Sequence, residues 1–195
     1  MAARHVVGGI VVGLLLAGPA LAGPEPWADP KLPAAEGLVL WLDAAAQTTA
    51  RQKLGKAPVG DGALLDVWYD ASGSGRHLSQ PVRDLQPSFQ ILQGGHAVRF
   101  DGQDDFLSLP GLKLEPKAAT VFVVAAPLTN AGSFRGFVSA AAFGKNDYHT
   151  GFTLDMGPFG SPRWQVLNVE GVGFGGAVSL LNRDVDFGAL HQFTA

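Results

Sequence analysis

The chain has 195 residues, of which 47% are hydrophobic and 16% charged, with a formal net charge of −3. That length and apolar content suit one folded domain with ample core. The small, dispersed charge contains no Lys/Arg block, so the chain lacks the electrostatic footprint of a nucleic-acid binder. Cysteine is absent, which excludes disulfides, thiolate metal sites and cysteine nucleophiles together.

In chain order, Arg4 and His5 make a weakly basic start, Val6–Ala17 is an apolar run, and Ala20-Leu21-Ala22 supplies a small-x-small pattern. This predicts a secretory signal peptide over residues 1–22, cleaved after Ala22, the alternatives being a retained anchor or a buried N-terminal element. The run is short for a membrane span and is interrupted by Gly8, Gly9 and Gly13. The mature chain is therefore expected to be exported (periplasmic, at the cell surface or extracellular), with no membrane span after cleavage. Residues 23–36 hold four prolines and predict an extended linker.

Gly37–Asp43, GLVLWLD, carries apolar residues on both faces and predicts an interior strand. Residues 44–56 suit a short helix or a long loop. Strands are predicted over 64–70, 87–92, 97–101, 106–109, 119–126, 137–143, 152–156 and 164–169, with weaker ones at 178–181 and 190–194. The 26 glycines and 13 prolines supply the tight turns between them. Ala119–Ala126, ATVFVVAA, is β-branched and aromatic enough to be a central strand. No segment keeps a helical period over three turns, so the pattern predicts an all-β sandwich or jelly roll.

GLVLWLDA (37–44), VWYDASGSGRHLSQ (67–80), QPSF (86–89), VRFDGQDDFLSL (98–109) and TVFVVAAP (120–127) resemble the laminin-G-like, concanavalin A-like lectin/glucanase domains of secreted bacterial multidomain proteins. The resemblance covers nearly all of residues 37–195. It implies a two-sheet antiparallel jelly-roll sandwich that binds carbohydrate or protein ligands. It also implies closing strands beyond His191–Ala195, so the sequence is expected to be the N-terminal portion of a longer domain. The implied role is a non-catalytic binding or adhesion module, with a glycan or an extracellular protein as partner. A structural accessory domain beside an enzyme, or part of a carbohydrate-active enzyme with its catalytic residues elsewhere, is the alternative.

No catalytic residue is predicted. The glucanase branch uses alternate carboxylates along one strand, and none of Glu25, Glu36, Glu115 and Glu170 has a second carboxylate two residues away on a plausible strand. Gly171–Gly176 matches G-x-G-x-x-G, but only the short Ala177–Leu181 follows, so it predicts a glycine-rich loop. Asp101, Gln103, Asp104 and Asp105 place hard oxygens within one turn, the donor type that Ca²⁺ takes, or else form a solvated hairpin turn. Asn146, Asp147 and Tyr148 share a polar loop and, with Trp164, are candidates for gripping a sugar ring. Asp70 and Ser72 are expected to bond turn backbone.

Overall fold

The computed structural model describes residues 11–15, 25–32, 36–113, 118–146, 149–158, 160–172, 178–181 and 183–195. The strands are β1 (Val11–Leu15), β2 (Leu38–Leu42), β3 (Val67–Trp68), β4 (Leu78–Ser79), β5 (Ser88–Leu92), β6 (Gly95–Arg99), β7 (Thr120–Ala125), β8 (Gly136–Ala141), β9 (Gly151–Asp155), β10 (Asn168–Gly171), β11 (Val178–Ser179) and β12 (His191–Thr194). Helix α1 spans Ala46–Lys53. Every strand pair is antiparallel, so the molecule belongs to the all-β class. None of the helices among the described residues is long and apolar enough to cross a membrane. The chain forms two compact units, Met1–Ala125 with Leu190–Thr194, and Ala126–Ala189.

In the first unit one sheet runs in the order β12-β7-β1-β2. The β7 sequence TVFVVA alternates as a half-buried strand should, with Val121, Val123 and Ala125 inside. β2 buries Val39 and Leu42. Between them lies β1, drawn from the segment expected to form the apolar centre of a leader. It pairs through Val12↔Leu42, Gly13↔Trp41 and Leu14↔Leu40 on one side, and through Val12↔Val123, Gly13↔Phe122 and Leu14↔Val121 on the other.

The segment 64–70, expected as one strand, instead changes partners along its length. Leu64 bridges Ser88, Val67 and Trp68 pair with β4, and Asp70 bridges Leu42. It therefore ties β2, β4 and β5 to one another while burying Leu65, Trp68 and Tyr69.

Helix α1 turns Ala50 and Gln47 inward. Gln47 is fully buried and substitutes for a strand rung: Oε1 accepts the Tyr69 N–H at 2.9 Å and Nε2 donates to the Tyr69 carbonyl at 3.0 Å. Arg51, in the last turn where a cation suits the helix dipole, meets Asp66 at 2.8 Å. Burial alone would raise the Asp66 carboxyl. The Arg51 hydrogen bond and charge, with the Val67 N–H, outweigh it and hold the group below the usual carboxylate range.

Glu25–Leu32 departs from the expected extended linker. Its backbone bonds to the 70s turn, Glu25 N–H to the Gly73 carbonyl at 3.3 Å and Asp29 N–H to that of Ala71 at 3.0 Å. Trp27 is buried against Ala50 and Tyr69. The segment docks because burying the Trp27 indole takes a large apolar area out of water.

The second unit holds the sheet β11-β10-β9-β8, and buries Leu154, Met156, Trp164 and Leu167. β10 begins four residues later than the strand expected from Trp164, which makes only an isolated bridge with Val185. Gly151 opens β9 at φ +109°, with the Ala140 carbonyl oxygen where a Cβ would sit, so the position requires glycine.

Candidate functional site

A group of polar side chains in the first unit surrounds Asp70. The Val67–Trp68 strand delivers this carboxylate, fully buried, to the turn Ala71–Gly75, whose glycines at 73 and 75 have φ of +81° and +69°. Oδ1 accepts the N–H of Trp41 at 3.0 Å and of Ser72 at 2.9 Å. Oδ2 accepts the Ser72 hydroxyl at 2.7 Å and the Arg76 N–H at 3.2 Å. A buried carboxylate is tolerated because its oxygens are satisfied by donors. The turn role expected for Asp70 and Ser72 is the one these bonds perform.

His77 sits beside it, its ring centroid 4.9 Å from that of Tyr69 and 5.8 Å from that of Trp27. Nδ1 accepts the Asp70 N–H at 3.1 Å. The ring proton of the neutral form is therefore on Nε2, which faces Glu25 Oε1 at 3.4 Å. Burial pushes the Glu25 carboxyl above its ordinary value, and the Asp70 charge adds to the rise while His77 opposes it. Its second oxygen, Oε2, is buried without a hydrogen-bond partner.

Aspartate, histidine, serine and glutamate thus lie together, yet the geometry is not that of a nucleophilic triad. The Ser72 hydroxyl gives its proton to Asp70 rather than facing the imidazole, and both ring nitrogens of His77 are engaged. No base lone pair is left to activate a nucleophile. The cluster is a knot that holds the Glu25–Leu32 segment, the 70s turn and β2 in place. Sequence reasoning missed it as a constellation because Glu25 and His77 are 52 positions apart, and no spacing rule links them.

The raised Glu25 carboxyl has a measurable consequence. A carboxyl whose folded-state pKa is raised holds its proton longer in the native state than in the unfolded one. Stability therefore falls as pH climbs from the ordinary value of 4.5 through the folded value. Glu25→Gln keeps an acceptor for His77 Nε2–H and removes the titration. Urea midpoints between pH 4.5 and 7 should then vary less with pH than those of the unsubstituted chain. An unchanged slope would show that Glu25 does not titrate differently in the two states.

The acidic turn after β6 is a second candidate. Asp101, Asp104 and Asp105 each bring one carboxylate oxygen to within 4.8 Å of the others. Asp101 Oδ1 also accepts the Gln103 N–H at 2.7 Å and the Asp104 N–H at 3.3 Å, while Asp105 Oδ2 accepts the Asp101 N–H at 2.8 Å. Burial raises the Asp105 carboxyl, and the charges of Asp101 and Asp104 raise it further against the pull of the Asp101 N–H. These are hard-oxygen donors of the kind Ca²⁺ takes, short of its six to eight ligands unless water and backbone carbonyls complete the set.

Of the expected sugar-gripping residues, Asn146 and Trp164 are among the described ones. Asn146 is exposed, its carbonyl accepting the N–H groups of His149 and Thr150 at 3.0 and 3.1 Å. Asp147 and Tyr148 lie outside the described residues, as do residues 173–177 of the glycine-rich loop. Trp164 is 1% exposed, packs against Phe137 at 5.6 Å and donates its indole N–H to the Val166 carbonyl at 2.6 Å. It cannot offer a face to a sugar, because its polar neighbours Arg163 and Gln165 point outward while the ring fills the core of the second unit. The adjoining cavity, lined by Asn130, Met156, Trp164 and Phe187 among others, is about 30 Å³. That is room for one water, not for a sugar ring.

Geometry therefore defines an antiparallel β protein whose clustered polar groups secure turns. Compared with protein-family models, curated proteins and solved structures, the chain matches none of them.

Proposed function

We propose that the chain is a non-catalytic binding or adhesion module of an exported multidomain protein, built on a concanavalin A-like jelly roll and directed at a glycan. The observation that carries this reading is the division of labour among its polar groups. The Asp70–His77 cluster uses its lone pairs internally, whereas the carboxylates of Asp101 and Asp104 stand exposed at a loop. Carboxylate oxygens at an exposed loop are within reach of a ligand, and with calcium bound there they would hold sugar hydroxyls. The alternative is an accessory domain that positions a neighbouring enzyme.

A glycan array and polysaccharide pull-down on the full chain, with calcium or with chelator, separates the two. Retention on at least one glycan, lost on Asp101→Ala/Asp104→Ala substitution, is the expected result. No retention under either condition removes the lectin reading and leaves the accessory one.

A further inference from the structure

We propose that the open edge of β8 is a self-association surface, on which a second copy of this chain lays its own β8 antiparallel to give a two-fold dimer. β8 ends the order β11-β10-β9-β8 and, among the described residues, pairs only with β9. The surface is separate from the acidic turn on which the glycan reading rests.

Strand period decides which backbone groups this edge offers. The Val138 carbonyl accepts the Thr153 hydroxyl at 3.2 Å, the Ala140 carbonyl lies against Gly151, and the Ala142 N–H donates to the Thr150 hydroxyl at 2.9 Å. These three residues turn their backbone toward β9, so Ser139 and Ala141, in alternation with them, turn theirs to the open side. Both are exposed. Natural edges are blunted by charge, proline or a covering element, because a bare one recruits a further strand. Residues 136–144, GFVSAAAFG, hold neither a charge nor a proline, and Phe143 near their end is fully exposed.

Charge selects the occupant and its register. Arg135 and Lys145 flank the neutral run, so a strand of the same sequence can pair along it without setting like charges together. A two-fold contact presents the same patch twice and must match open-side residues with open-side residues. That leaves Ser139 opposite Ser139, Ser139 opposite Ala141, or Ala141 opposite Ala141. The second brings Arg135 opposite Lys145 at both ends, a repulsive pair. The third leaves only Ala141 of each β8 within the overlap. The first keeps Phe137–Ala141 of both strands paired and sets Val138 opposite Ala140. It also carries Phe143 of each copy to Arg135 of the other, a ring and a cation that attract. The exposed phenyl ring and the uncharged edge thus find complements on the same surface of a second copy.

Sedimentation velocity on the full chain supplies the test. A strand-to-strand contact is smaller than a standard interface, so a monomer–dimer Kd on the order of 10–100 µM is expected. Ala141→Pro removes an open-side donor, a change an edge strand tolerates, and Ser139→Lys places like charges on the two-fold axis. Each should weaken dimerisation about ten-fold or more, with near-ultraviolet circular dichroism unchanged. The chain has no cysteine, so Ser139→Cys introduces a single thiol. Facing Cα atoms of such a hydrogen-bonded pair lie about 5.5 Å apart, within disulfide reach. Mild oxidation should therefore give a covalent dimer from Ser139→Cys and none from Ala141→Cys, whose two sites lie about 13 Å apart along the strands. Should the proline variant lose its fold, the lysine and cysteine variants decide. A monomer at every concentration overturns the proposal, as does a dimer that Ser139→Lys leaves intact. A cross-link through Ala141→Cys and not Ser139→Cys overturns the register and the charge selection behind it. None of these readouts involves a glycan, so their failure is separable from failure of the lectin reading.

Discussion

Asp70→Ala should lower the unfolding free energy of the first unit by about 4 kcal/mol. Four donors lose their acceptor at once: the N–H groups of Trp41, Ser72 and Arg76 and the Ser72 hydroxyl. Bonds to a charged acceptor contribute about 1.5–3 kcal/mol each, and they are not additive within one network. Against a total of about 5–15 kcal/mol, the loss brings the unit close to unfolding at ambient temperature. Asp70→Asn should cost about half as much, since one oxygen still serves two N–H groups while the amide nitrogen confronts the Arg76 N–H. Urea titration followed by hydrogen exchange of Leu38–Leu42 measures both. A change below about 1 kcal/mol for the alanine variant, the size of an ordinary surface substitution, would refute the structural role.

Trp27→Ala is expected to cost about 3–5 kcal/mol, the range for deleting a buried indole. The ring lies between Ala50, Tyr69 and His77, and its Nε1–H donates to the Asp70 carbonyl at 3.1 Å. Trp27→Phe retains most of the apolar area and loses the hydrogen bond, so about 1–2 kcal/mol should separate it from the parent. Limited proteolysis supplies the independent reading: Lys31 becomes a cleavage site in the alanine variant and resists in the parent. If Glu25–Leu32 were an undocked linker, both substitutions would leave stability and cleavage unchanged.

What the sequence disclosed followed from local pattern. The runs at 38–42 and 120–125 read as strands because β-branched and apolar residues fill both faces, and the weak Leu190–Thr194 segment held enough of that pattern to reveal β12. Local pattern failed wherever partners were distant. Trp27 was hidden among prolines, although an indole in a solvated linker has no packing reason to be there, and that was the available signal. Trp164 was a candidate by residue type alone, and only the β8–β11 unit shows which way the ring turns. The segment 64–70 has strand composition throughout, but three successive partners leave just two residues in a regular ladder. For the acidic turn, the approach of Asp101, Asp104 and Asp105 was legible from their spacing, since the ligand atoms belong to one turn.

The placement of β1 also orders events in time. Val11–Leu15 leaves the ribosome first, yet its partner β7 is made roughly a hundred residues later. At synthesis rates of about 5–20 residues per second, the apolar segment waits on the order of 5–20 s before its second neighbour exists. Any receptor that captures emerging apolar segments has that interval in which to act, and the sheet can claim the strand only afterwards. The sheet is complete around Val11–Leu15 only once Thr120–Ala125 has been made.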